Sequence, residues 1–213
     1  MKAIVFDFDG TIANTLPINF HGFHEVFKKY DGKDLSDEEI KEMFGPPEHE
    51  LIEKNLESDQ LDQAVALYYK EYEENHDKLV QKNEEINRML SELKERGIKL
   101  GIVTGKSRKS FEMSLDKLDL KQYFDVLITG DDVTEDKPDP EGVEKALSKL
   151  GVRPEDAMYI GDSDADVEAG ARAHTKTAAV KWLPEYQSSE YSTEPNVIFE
   201  QTDELFVYLK RNE

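Results

Sequence analysis

The sequence predicts an α/β fold: a parallel sheet with helices on both faces, interrupted early by a helical insertion. Three observations point there. Short apolar β-rich segments alternate with amphipathic helical segments through most of the chain, the pattern of a parallel sheet covered on both sides. Several of these segments are brief runs bounded by Gly or Asp, as buried strands tend to be. One long stretch, from about Pro17 to Lys82, breaks the alternation and carries helical patterns only.

The elements follow in order. Ala3–Phe6 is the first strand. In the helical stretch, Ser36-Asp37-Glu38-Glu39 reads as a capping box. Gly45-Pro46-Pro47 interrupts, and a new helix is expected to start at Pro47. A long helix is expected from about Asp59 to Lys78, with the acidic run Glu71–Asp77 as its solvated face. Alternation then resumes. Helices are expected at Glu84–Arg96, Ser107–Lys117, Pro140–Leu150 and Asp164–His174, with Gly97 and Gly151 as C-terminal stops. The intervening strands are Lys99–Val103, Val126–Thr129, Ala157–Ile160 and Thr177–Val180, with Asn196–Phe199 as a sixth candidate. A sheet interrupted directly after its first strand suggests a lid over a site at the strand ends.

Bulk properties narrow the class. The 213 residues include no Cys, which excludes disulfides, thiolate metal sites and cysteine nucleophiles. Apolar runs such as Ile4-Val5-Phe6 can build a core, and a chain of this size buries roughly 70% of its unfolded surface without staples. The net charge of −20, with no basic cluster, argues against nucleic acid as a partner. No apolar run approaches the ~20 residues of a membrane span, and Met1–Phe6 is too short and too lightly charged for a signal peptide. A cytoplasmic protein with no membrane partner is expected. With no long exposed apolar stripe, a monomer is expected.

Sites in open parallel sheets form beyond the carboxyl ends of the strands. After the first strand comes Asp7-Phe8-Asp9-Gly10-Thr11. Its two carboxylates lie two residues apart, so both can leave the strand on one side, and at close range such a pair needs a cation or a proton. After Lys99–Val103 comes Thr104-Gly105-Lys106, a hydroxyl and free N–H groups at a helix start, suited to an anion. After the next strand comes Lys137, just before two prolines that fix the approach to a helix, where an ammonium could meet phosphate as a point charge. After Ala157–Ile160 comes Gly161-Asp162-Ser163-Asp164-Ala165-Asp166, acidic oxygens suited to Mg²⁺. Asp164 and Ser163 could equally serve as the N-cap of the following helix.

Taken together, Asp7-x-Asp9-Gly10-Thr11, Thr104-Gly105, Lys137-Pro138 and Gly161-Asp162-x-x-x-Asp166 resemble the four motifs of the haloacid dehalogenase-like superfamily of phosphohydrolases. The likeness covers almost the whole chain. The helical insert is similar to the cap of the phosphoglycolate phosphatase and β-phosphoglucomutase branch. The resemblance implies a Rossmann-like core (residues 1–15 and 83–213) with a small α-helical cap (16–82) hinged near Asn14–Pro17 and Gln81–Glu84. It implies Asp7 as nucleophile, forming an aspartyl phosphate, and Asp9 as general acid and base. It implies Mg²⁺ held by the Asp7 carboxylate, the Asp9 backbone carbonyl and Asp162, with Asp166 ligating through water or orienting Lys137. Thr104, Gly105 and Lys137 would hold the phosphoryl group. The expected ligand is a small phosphorylated metabolite.

Other readings of the same residues remain. Dehalogenases of the superfamily lack the second acid, so Asp9 and Asp162 speak against that chemistry. Phosphonate hydrolysis would need a cap lysine, and nothing in the sequence singles out Lys41 or Lys54. The cap arginine of β-phosphoglucomutase has no counterpart, since no Arg precedes Arg88. A non-catalytic phosphate-binding protein would not need Asp7, Asp9 and Lys137 all in place. The turn Phe44–His49 is the expected specificity element. His21, His24 and His49 could each meet a phosphate or simply pack, packing being the commoner role of a lone His, and Trp182 either lines the rim or fills space.

Overall fold

A computed structural model describes residues 1–211. Six strands form one sheet in the order β3-β2-β1-β4-β5-β6, and every neighbouring pair is parallel. The strands are β1 (Ala3–Phe6), β2 (Lys99–Val103), β3 (Val126–Ile128), β4 (Ala157–Gly161), β5 (Lys176–Val180) and β6 (Val197–Phe199). The six expected strands are all present, with ends within one residue of their predicted positions. Among the described residues no helix is long and apolar enough to cross a membrane.

Strand side chains alternate between faces, and here both faces are buried. Ile4, Phe6, Leu100, Ile102, Met158 and Ile160 point to one core. Ala3, Val5, Val103, Ala157 and Tyr159 point to the other, under α7 (Glu141–Leu150) and α8 (Asp164–Arg172). This two-sided burial is why the strands read as apolar runs. The register pairs Phe6 with both Ile102 and Ile160, so Asp7, Thr104 and Asp162 emerge together at the carboxyl edge.

The insertion is helical throughout: α1 (Leu16–Asp31), α2 (Asp37–Lys41), α3 (Glu48–Asn55) and α4 (Leu61–Leu79). The capping box at Ser36 and Glu39 is formed in full. α1 lies along α4, with Phe23 against Tyr68 at 4.6 Å between ring centroids. In α4 Glu73, Glu74 and Asp77 of the acidic run face solvent, Glu71 is half-buried against His21, and Tyr72 and His76 within the run turn inward at helical spacing. The start of α3 differs slightly from expectation. Pro47 stands outside the helix as N-cap in extended conformation, and Glu48 is the first helical residue.

The remaining helices are α5 (Glu84–Glu95), α6 (Arg108–Leu118), α7, α8 and α9 (Thr202–Arg211). α8 ends two residues short of His174, which adopts a left-handed φ of 60°. α9 was not anticipated. It buries Leu205 and Leu209, four residues apart, and carries acids in its first turn and bases in its last, which complements the helix dipole.

Candidate active site

The turn after β1 sets the site. Phe8 goes into the core against Phe111, and its carbonyl accepts the N–H groups of Thr11, Ile12 and Ala13. This tight turn throws Asp7 and Asp9 to the same side. Gly10 has φ +80°, and a Cβ there would lie 2.3 Å from Asp162 Oδ2, so only glycine lets the two loops meet. Thr11 and Asp162 then join directly, hydroxyl to carboxylate at 3.2 Å.

Three carboxylates converge behind the turn. Asp7, Asp162 and Asp166 are all buried and each offers an oxygen within 4.8 Å of the others. Among the described residues Lys137 supplies their one ammonium partner, 2.8 Å from Asp7 Oδ1 and 2.6 Å from Asp166 Oδ1. Burial opposes the Lys137 charge, but Asp166 and Asp7 outweigh it and hold its pKa well above the usual lysine value. One lysine does not balance three acids. Burial, with Asp166 and Asp9 adding repulsion, pushes Asp7 up to about 7 despite Lys137. Burial followed by the charges of Asp7 and Asp166 raises Asp162 well above the carboxylate range.

The three acids are held differently. Asp166 Oδ1 accepts from Lys137 and the Tyr159 hydroxyl, and its Oδ2 from the Ser163 N–H and hydroxyl. Both oxygens are thus committed. Asp166 orients Lys137 and completes a capping box with Ser163, which is the N-cap of α8. Asp162 is gripped by the Gln187 backbone N–H at 2.6 Å and by Thr11. Asp7 Oδ2 is buried and has no hydrogen-bond partner among the described residues. A buried carboxylate oxygen without a donor, inside an acid cluster with too little positive charge, fits a divalent cation.

In front of this cluster lies a cavity of about 260 Å³ between insert and core. Asp7, Asp9, Thr104, Gly105 and Lys137 line the core side, while Lys41, Phe44, Pro46 and Glu48 line the other. Asp162 and Asp166 sit behind this wall rather than in it. Asp9 accepts a hydrogen bond from the Thr15 hydroxyl and lies 3.3 Å from Lys106 Nζ. Thr104 accepts from the Lys106 N–H at 3.2 Å, so its hydroxyl already closes the local turn. A Cβ on Gly105 would lie 2.6 Å from the Gly45 carbonyl. Glycine at this position therefore admits the insert's turn against the core, a role separate from binding an anion.

The structure also shows residues that the sequence did not single out. Lys106 is buried, with Nζ 2.7 Å from Asn19 Oδ1 and 3.1 Å from Glu48 Oε1, and it lies over the Tyr72 ring. Burial opposes its charge, and Asp9, Tyr72 and Glu48 together hold its pKa well above the usual value. Its place inside the Thr104-Gly105-Lys106 motif was the available signal. Gln187 had none, because its loop meets Asp162 only in the folded chain. Lys41 lines the cavity and donates to the Tyr186 carbonyl at 3.0 Å, which separates it from Lys54. The histidines stay off the cavity. His21 pairs with Glu71, His24 with Asp37 and, at 4.0 Å, His49 with Asp131. Trp182 stacks on Phe199 and donates to the Thr11 carbonyl at 2.7 Å, bracing the turn from behind.

Comparison with known proteins agrees with this geometry. The family described as haloacid dehalogenase-like hydrolase matches residues 4–180. A protein of Bacillus mycoides named pyrophosphatase PpaX is 33% identical over 211 residues, covering 99% of this chain and 98% of its own length. Among solved structures, a Thermotoga maritima protein assigned as a β-phosphoglucomutase is 28% identical with a TM-score of 0.75, covering 99% of both chains. A Haemophilus somnus protein assigned as a phosphoglycolate phosphatase shares the fold at a TM-score of 0.85 and 22% identity, covering 100% of this chain and 98% of its own. With the family matched across most of its length and the four strand-end clusters in one place, the chain is an enzyme of the haloacid dehalogenase-like hydrolase family.

Proposed function

We propose that this enzyme is a Mg²⁺-dependent phosphatase of small phosphorylated metabolites, working through an aspartyl phosphate on Asp7. The observation that carries the reading is Asp7 itself: a buried carboxylate with one oxygen on Lys137 and the other bare, at the wall of a cavity of metabolite size. Residues 16–82 act as a cap and residues 1–15 and 83–213 as the catalytic core.

Asp7 attacks phosphorus and the bond to the leaving oxygen breaks, with Asp9 giving that oxygen a proton. Water then attacks the phosphoryl group, passes its proton to Asp9, and returns Asp7 as a free carboxylate with inorganic phosphate as product. Lys137 holds phosphoryl oxygens, and Asp166 keeps the ammonium in place. Thr104 and Gly105 offer a hydroxyl and an N–H at the cavity wall. Asp7, Asp162 and the Asp9 carbonyl would hold Mg²⁺, which supplies charge neutralisation for the transferring group. Thr15 and Lys106 fix the Asp9 carboxylate toward the cavity.

The relatives named pyrophosphatase make inorganic diphosphate the first substrate to try, with phosphoglycolate and sugar phosphates next. The test is phosphate release over such a panel with and without Mg²⁺, with Asp7→Asn as control. Release that needs both Mg²⁺ and Asp7 is expected. Release that persists in Asp7→Asn would refute the aspartyl intermediate.

A further inference from the structure

The start of α6, just past the Thr104-Gly105 pair, forms a second anion position, and it is already filled by the protein's own carboxylate. Glu48, the first residue of α3 in the insert, reaches across to the core. Its Oε2 accepts the Ser107 backbone N–H at 2.8 Å, its Oε1 accepts the Ser110 hydroxyl at 2.5 Å, and Lys106 Nζ lies 3.1 Å away. The side chain is 7% exposed and lines the cavity that holds Asp7. A helix N–H, a hydroxyl and an ammonium converging on one oxyanion are the donors a phosphate would use. Burial opposes this charge, yet Lys106, Ser107 and Ser110 outweigh it and keep the Glu48 pKa below the usual range. The plug is therefore a carboxylate at neutral pH.

We propose that Glu48 is a specificity-determining residue: it occupies a second anion position of the cavity and disfavours substrates whose leaving group carries a separate phosphate ester, while leaving room for compact substrates such as monoesters and diphosphate. A bisphosphate entering the cavity meets a resident negative charge and finds its donors taken. Discrimination here is by repulsion and occupancy. The substrate class rests on the phosphatase reading above; the anion plug does not.

Two variants separate charge from volume. Glu48→Ser empties the position and frees the Ser107 N–H, the Ser110 hydroxyl and Lys106. Glu48→Gln keeps the shape and removes only the charge. The substrates are matched pairs of aliphatic alcohol monophosphates and α,ω-bisphosphates. The kcat/KM ratio of bisphosphate to monophosphate is expected to rise at least tenfold in Glu48→Ser and about threefold or more in Glu48→Gln. Sulfate titrated calorimetrically should bind to Glu48→Ser with one more site than to wild type. Ratios unchanged in both variants, or unchanged in Glu48→Gln alone where Glu48→Ser does not fold, would overturn the assignment. So would the absence of the extra sulfate site. If wild type releases no phosphate from any pair or from diphosphate, phosphoglycolate and sugar phosphates, the phosphatase reading fails, and the sulfate titration still decides the plug.

Discussion

Lys106→Met would test the buried charge network directly. The side chain is 1% exposed and its ammonium serves two carboxylates at once, Glu48 at 3.1 Å and Asp9 at 3.3 Å. Methionine keeps most of the stem and removes the charge. Breaking a buried ion pair from one side costs about 3–5 kcal/mol, because the orphaned charge remains desolvated. For a chain of this length each kcal/mol lowers Tm by about 2–4 °C, so a fall of about 6–20 °C is expected. Glu48 keeps Ser107 and Ser110, and Asp9 keeps Thr15, which favours the lower half of that range. In Lys106→Met/Glu48→Gln one stranded charge is gone, so the double variant should be more stable than the sum of the singles by about 1–3 kcal/mol. Urea denaturation followed by circular dichroism measures all four proteins. Lowering the pH through the carboxylate range should shrink the deficit of Lys106→Met, because the orphaned acids then take up protons. A deficit below about 1 kcal/mol, or strict additivity in the double variant, would refute the reasoning.

Three further outcomes follow from the same structure. His76 is buried against Ser114, and desolvation depresses its pKa from 6.5 to about 4. Its contribution should be complete above pH 6.5 and be lost by about 3 kcal/mol as pH falls toward 4, and His76→Gln should flatten Tm against pH in that window. Asp7, raised from 3.8 to about 7, binds more protons folded than unfolded. The metal-free protein should therefore lose stability as pH rises between those values, and Asp7→Asn should melt several degrees higher than wild type at pH 8 without Mg²⁺. Gly10→Ala places a methyl against Asp162 in a left-handed backbone that costs roughly 1–2 kcal/mol for a non-glycine residue. The Mg²⁺ concentration needed to raise Tm should increase markedly in this variant; an unchanged titration would count against Asp162 as a ligand.

Much of the site was legible because its motifs are local. Asp7, Thr104 and Asp162 each lie just past a strand whose own apolar run announces it, so finding the strand finds the residue. Lys137 was visible from its two prolines. What escaped were contacts between residues distant in sequence. Glu48 lies in the Phe44–His49 turn and Lys106 in the Thr104-Gly105-Lys106 motif, but Glu48 meets Ser107 across 59 positions and Lys106 meets Asn19 across 87, and neither segment announces its partner. The helix α9 escaped because a short amphipathic turn near a chain end resembles any polar segment until β6 and α5 give it a surface.

By itself, then, the sequence determined the parallel α/β architecture, the helical insertion and the order of the strand-end motifs. Hydrophobic period and strand-end chemistry are properties of consecutive residues. Only the tertiary structure decided which acids are bare and which are committed. Asp166, a metal candidate by motif, spends both oxygens on Lys137, Tyr159 and Ser163. Asp7, with the same side chain, keeps one oxygen free. Burial and donor geometry make that difference, and they exist only once strands, loops and insert are packed together.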